Sequence, residues 1–123
     1  MDGDKLDRRA DPNRGTGRTY TAVAACIVAA REGKHVAYIV HNYPMFEHVK
    51  WIVGEVCTKY NIPRDTFSVP TSTFHFEGGG KLTIINIHTI SNHCGTKFHM
   101  VRVDHAVDLT TIPERDRMIH GIR

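Results

Sequence analysis

Six consecutive residues, His35-Val36-Ala37-Tyr38-Ile39-Val40, constrain this chain more than any other stretch. An apolar, β-rich run without polar alternation suits a strand buried on both faces, and such strands belong to parallel sheets joined by helical crossovers. Helical patterns stand on both sides of it. Over residues 20–31, Val23, Ile27 and Ala30 recur at helical spacing among Ala22, Ala24, Ala25 and Ala29, and Gly33 lies where a C-terminal capping glycine belongs. Beyond the strand, Pro44 in a first-turn position behind Asn42 starts a helix to about Tyr60, with Phe46, Val49, Ile52, Val53 and Val56 as a wide apolar face. The order predicts an α/β fold with a mostly parallel sheet.

Ahead of the first helix stands Pro12-Asn13-Arg14-Gly15-Thr16-Gly17-Arg18-Thr19. Its chemistry is that of a phosphate-binding loop, in which glycines turn backbone N–H groups inward, a basic side chain neutralises phosphate and a hydroxyl holds Mg²⁺. The usual spelling, G-x-x-x-x-G-K-[ST], is altered at two positions: Pro12 replaces the first glycine and Arg18 the lysine. The helix behind such a loop favours an anion at its N-terminus. The simpler alternative is a turn in which Asn13 or Thr16 caps the helix while Arg14 and Arg18 are solvated.

Residues 97–106 read as a strand entering from an edge and ending on an acid, Asp104. Enzymes of phosphoryl transfer keep an acid there for Mg²⁺. Residues 73–77 and 81–87 flank Gly78-Gly79-Gly80 as a β-hairpin whose second arm continues as a buried strand. Residues 62–65 form a turn, and residues 112–120 a short helix.

The succession Gly15-Thr16-Gly17-Arg18-Thr19, helix, His35–Val40, His41-Asn42-Tyr43-Pro44, then Gly95-Thr96-Lys97-Phe98 leading to Val101-Arg102-Val103-Asp104-His105-Ala106, resembles the ATPase core of additional-strand P-loop proteins. Helicases and the large terminase subunits of tailed phages belong to that group. The chain is especially similar to short phage-encoded ATPase-like proteins that spell the loop R-G-x-G-R-T. The resemblance implies a single three-layer P-loop NTPase-like domain over residues 12–123, with a β-hairpin insertion and a flexible charged arm over residues 1–11. It implies ATP and Mg²⁺ as cofactors. Arg14, Gly15, Thr16, Gly17, Arg18, Thr19 and Tyr20 would surround the nucleotide, with Arg18 on the β- and γ-phosphates. Thr19 and Asp104 would hold the metal, and Asp104 and His105 would occupy the catalytic positions.

Three departures qualify that picture. Arg18 keeps the charge of a lysine but brings a larger planar fork. His105 stands where the family places a glutamate, and an imidazole orients water only when neutral and correctly aimed. Residues 1–11 contain no apolar run for the strand from which such a loop hangs. Either that strand is lost or the glycine-rich segment is only a helix cap, and the downstream order favours the first. Hydrolysis is therefore expected to be slow or partner-dependent, and the alternative is a degenerate P-loop relic serving as a protein-interaction or nucleic-acid-binding module.

Composition narrows the rest. At 123 residues the chain has room for one domain and not for a second motor domain or a nuclease, so an arginine finger would come from a neighbour, an argument for a homo-oligomer. A net charge of +3 does not by itself indicate nucleic acid. Lys5, Arg8, Arg9, Arg14, Arg18, Arg31 and Lys34 offer a basic N-terminal third for DNA or RNA phosphates, but Asp2, Asp4, Asp7 and Asp11 partly cancel it and no aromatics are interleaved. Nothing reads as a signal peptide or membrane span, and three widely spaced cysteines, Cys26, Cys57 and Cys94, suit buried thiols in a reducing cytoplasm, the host's if the gene is a phage's. Nine histidines raise the question of zinc. Adjacent His93 and Cys94 cannot easily share one tetrahedral ion, and His99 and His105 fall at opposite ends of the expected strand.

Overall fold

The computed structural model describes residues 13–65, 67–93 and 95–122. The arm expected over 1–11, Pro12 and Cys94 lie outside the described residues. The elements run α1 (Asn13–Arg31), β1 (His35–Val40), α2 (Tyr43–Lys59), β2 (Thr73–His75), β3 (Lys81–Asn86), a 3₁₀ helix (Ile87–His93), β4 (Met100–Val103), a 3₁₀ turn (Leu109–Thr111) and α3 (Glu114–Ile119). The strands form one open sheet in the order β2-β3-β1-β4. Strand β1 pairs parallel with β3 and β4, and β3 pairs antiparallel with β2, which gives an α/β fold with a mostly parallel mixed sheet.

Strand β1 lies inside the sheet, and every residue from Val36 to Val40 is buried, as its unbroken apolar run requires. Its alternation separates two cores. Val36, Tyr38 and Val40, with Leu82 and Ile84, meet the stripe Val23, Cys26, Ile27 and Ala30 of α1 and the face Val49, Ile52, Val53 and Val56 of α2. Ala37, Ile39 and Ile85 point the other way, onto Ile90, Val107 and Ile112. The two faces are thus covered unequally: two full helices pack on one, whereas residues of the 3₁₀ helix and of the segment over 107–112 pack on the other. Cys26 and Cys57 are free, buried thiols. Burial pushes Cys26 up to about 12, against the opposing charge of Arg102.

Two boundaries differ from expectation. Helix α1 begins at Asn13, so the segment expected as an open loop over 12–19 is helical wherever it is described. Gly15 and Gly17 weaken that stretch most, by about 1 kcal/mol each relative to Ala, and an Ala-rich helix once nucleated propagates toward its N-terminus. The expected strand over 97–106 shortens to Met100–Val103. His99 explains the shortening, because its Nδ1 accepts from the His35 backbone N–H at 2.8 Å, in place of a ladder carbonyl.

Asn42 caps α2 by accepting from the Met45 N–H at 2.9 Å, with proline in the first turn. Gly33 ends α1 at φ 96°, a conformation that other residues adopt at a cost. The Gly78-Gly79-Gly80 turn closes the β2–β3 hairpin, with Phe76 N–H donating to the Gly80 carbonyl at 2.8 Å. Gly80 touches the end of α1: a Cβ there would lie 1.6 Å from the Ala30 carbonyl oxygen. Urea denaturation of Gly80→Ala should therefore show a loss of at least ~2 kcal/mol, since backbone must move. Gly17→Ala, where a Cβ meets open space, should gain up to ~1 kcal/mol if α1 is helical there. A neutral Gly80→Ala would rule out the close approach of α1 to the hairpin turn.

Candidate functional site

In open α/β sheets, ligands bind beyond the carboxyl ends of the parallel strands. The ends of β1, β3 and β4 share one such edge here. Asp104 is the first residue past β4, and its N–H donates to the Ile39 carbonyl at 2.8 Å, extending the pairing with β1. By strand alternation its side chain belongs to the face covered by α1 and α2. Thr19 opens the buried stripe of α1, one turn before Val23.

These two residues, 85 positions apart in the chain, meet directly. The Thr19 hydroxyl donates to Asp104 Oδ1 at 2.9 Å, and both side chains are buried. The Tyr38 hydroxyl, from the middle of β1, donates to the same oxygen at 2.5 Å. The Ala106 N–H donates to Oδ2 at 3.1 Å. Burial, then the bond to Asp104, raises the Tyr38 phenol well above its usual range, so it stays a donor. His105 Nδ1 lies 3.8 Å from Oδ2, an ion pair only when the ring is protonated. His48, on α2, has its Nε2 buried without a partner, and burial holds its pKa below the ordinary value against the raising effect of Asp104.

Of the expected loop residues, Thr19 alone is placed on Asp104 among the described side chains. Gly17 and Arg18 are exposed on α1, and Tyr20 is partly buried against the helix-side core. Arg14, Gly15 and Thr16 have helical backbone, and their side chains lie outside the described set. The N–H groups of residues 17–19 are committed to the helix. The residues therefore fit one half of the expected ligand. A hydroxyl and a carboxylate are hard oxygen donors of the kind Mg²⁺ takes, and a Thr19 hydroxyl that gives its proton to Asp104 keeps its lone pairs. The phosphate half would need the first turns of α1 to open. Among the described residues no three or more His, Cys, Asp or Glu side chains gather to hold a metal.

Sequence reasoning missed Tyr38 and His48. Tyr38 did carry a signal, because a tyrosine within a fully buried strand must find a partner for its hydroxyl. His48 carried none beyond its helical position.

No protein-family model matches this chain, and comparison with curated proteins and with solved structures gives no match. Among the described residues no helix is long and apolar enough to cross a membrane.

Two outcomes follow from this geometry. Tyr38→Phe and Thr19→Ala should each destabilise by about 1–2 kcal/mol. The double variant should lose more than their sum, because Oδ1 then keeps no hydroxyl donor; additivity in a double-mutant cycle would show that the two hydroxyls do not share the oxygen. The second concerns pH. His35, His48, His93 and His120 all have pKa values lowered chiefly by burial. The unfolded chain takes protons near pH 6.5, while the folded chain resists them until lower pH. Stability measured by urea denaturation should fall steadily as pH drops below about 6.5, stay level between about pH 7 and 8, and decline again at alkaline pH, where the unfolded chain ionises the thiols and the phenol that burial keeps protonated in the fold.

Proposed function

We propose that the protein binds a nucleoside triphosphate, ATP in the first instance, together with Mg²⁺ at the Thr19–Asp104 pair. The observation that carries this reading is the 2.9 Å hydrogen bond between a hydroxyl on the first helix and a strand-end carboxylate 85 residues later. That pairing is what the loop motif and the strand-end acid, read separately in the sequence, require of each other. Arg14 and Arg18 would supply positive charge, with the first turns of α1 opening so that N–H groups turn onto phosphate. Turnover would be slow or partner-dependent, since exposed His105 takes the position of a water-orienting carboxylate.

A second reading has its own support. Asp104 already accepts from Thr19, Tyr38 and Ala106, an arrangement complete as a structural clamp. A relic of the phage-encoded, helicase- or terminase-like kind, acting by protein or nucleic-acid contacts, would need no more from it.

Titration with a fluorescent ATP analogue, with and without Mg²⁺, separates the two. Saturable binding that needs Mg²⁺ should weaken about tenfold or more, or ~1.4 kcal/mol, in Thr19→Ala. Gly17→Ala should weaken it as well while leaving the fold intact, because it favours the closed helix. Absence of saturable binding, or equal binding by wild type and both variants, would remove the nucleotide reading in favour of the clamp.

A further inference from the structure

At the opposite end of the parallel strands from Asp104, on the sheet face away from α1 and α2, lies a cleft of about 650 Å³. Strand register defines its floor. His35 pairs with Lys81 and Lys81 with His75, so three neighbouring strands present a basic row. At the next position on this face, Thr83 pairs with Thr73. His93, at the end of the 3₁₀ helix, stands over one side, and the loop over 68–72 over the other. None of the lining residues is acidic.

The hydroxyl groups are ordered in one direction. Thr73 Oγ1 donates to the Thr71 carbonyl at 2.8 Å, so toward Thr83 Oγ1, also at 2.8 Å, it must accept. Thr83 has then used its proton and must accept from His35 Nε2 at 2.9 Å. Neutral His35 therefore carries its hydrogen on Nε2, and Nδ1 is the atom that gains a second one.

We propose that this cleft binds a small phosphomonoester that also bears hydroxyl groups, with its phosphoryl group on His35, Lys81, His75 and His93 and its hydroxyls on the threonine side chains. The volume falls within the range of small-molecule sites, roughly 300–1,000 Å³. The charge balance is one-sided. His35 is held below its ordinary pKa by burial first and then by Lys81, His99, His75 and His93, with no carboxylate opposing them. His93 is lowered by burial and by His120, which itself feels Asp116. A bound dianion supplies the missing counter-charge, and the imidazoles take up protons from solvent as it binds. This site shares neither strand end nor sheet face with the Thr19–Asp104 pair, and it needs no metal.

The test is calorimetric titration of the full-length chain with ribose 5-phosphate in EDTA, at pH 6.5 and pH 8.0. Lys81→Gln and His75→Gln report on the cleft, Lys59→Gln serves as a charge-matched control, and thermal unfolding checks that each folds. Expected is one saturable site, at least about threefold tighter at pH 6.5 than at pH 8.0. Lys81→Gln or His75→Gln should weaken it by about tenfold or more, and Lys59→Gln should not. The pH direction is diagnostic, because a phosphomonoester gains its second charge near pH 6 and ligand charge alone would favour pH 8.0. Absence of saturation, tighter binding at pH 8.0, equal binding of ribose or sulfate, or equal loss in Lys59→Gln would overturn the proposal. So would a single-stranded oligonucleotide that binds more tightly and competes, since it would make the cleft a nucleic-acid contact.

Discussion

A buried carboxylate holds the two halves of this fold together. Removing a charge from water costs several kcal/mol unless hydrogen bonds replace the hydration, and Asp104 receives them from three separate places: Thr19 on α1, Tyr38 on β1 and the Ala106 backbone beyond β4. Each partner fixes something else. Thr19 sets the rotation of α1, so that Val23, Cys26, Ile27 and Ala30 follow it onto the sheet. Tyr38 ties the edge strand to the interior strand beside it. An apolar residue at 104 would leave two buried hydroxyls without an acceptor, so the three positions can only change together.

Much of this was legible from local chemistry. Asn42 and Pro44 announce the start of α2, Gly33 the end of α1, and the apolar run of β1 its interior position, because each depends on a few adjacent residues. Thr19 and Asp104 were legible as a pair only through the functional chemistry of two motifs. The destination of the Tyr38 hydroxyl was not. It depends on β1 and β4 being neighbours although two strands separate them in the chain, and periodicity carries no information about that order. The 3₁₀ helix over Ile87–His93 was missed for a related reason, since its residues have neither a period of two nor one of 3.6.

The two faces of the sheet answer different demands with the same strands. Toward α1 and α2 the buried positions are mostly apolar, with Tyr38, Thr19 and Asp104 forming the hydrogen-bonded polar exception. On the other face, β1 and β3 carry Ile39 and Ile85 at one end, against Ile90, Val107 and Ile112, then Ala37 beside Thr83, and His35 beside Lys81 at the other end. The covering segments are short, so apolar residues persist only as far as the cover reaches. Beyond it the floor changes to groups that water or a polar ligand satisfies.

The start of α1 links the loop motif to the helix in its place. Gly15 and Gly17 weaken the first two turns, at roughly 1 kcal/mol each relative to Ala, and a Cβ at Gly17 would touch nothing. From Thr19 onward the helix is held by Asp104 and then by the core. From Thr19 onward tertiary contacts add to local propensity, which the two glycines lower in the turns before it. An anion that drew the N–H groups of residues 14–18 around itself would oppose the stretch that the two glycines weaken, and the buried Thr19–Asp104 bond would resist further unwinding. Glycine spacing and the position of the buried threonine therefore act together under either reading of the segment: local propensity is lowest at Gly15 and Gly17, and Thr19 is where the tertiary hydrogen bond to Asp104 adds to it.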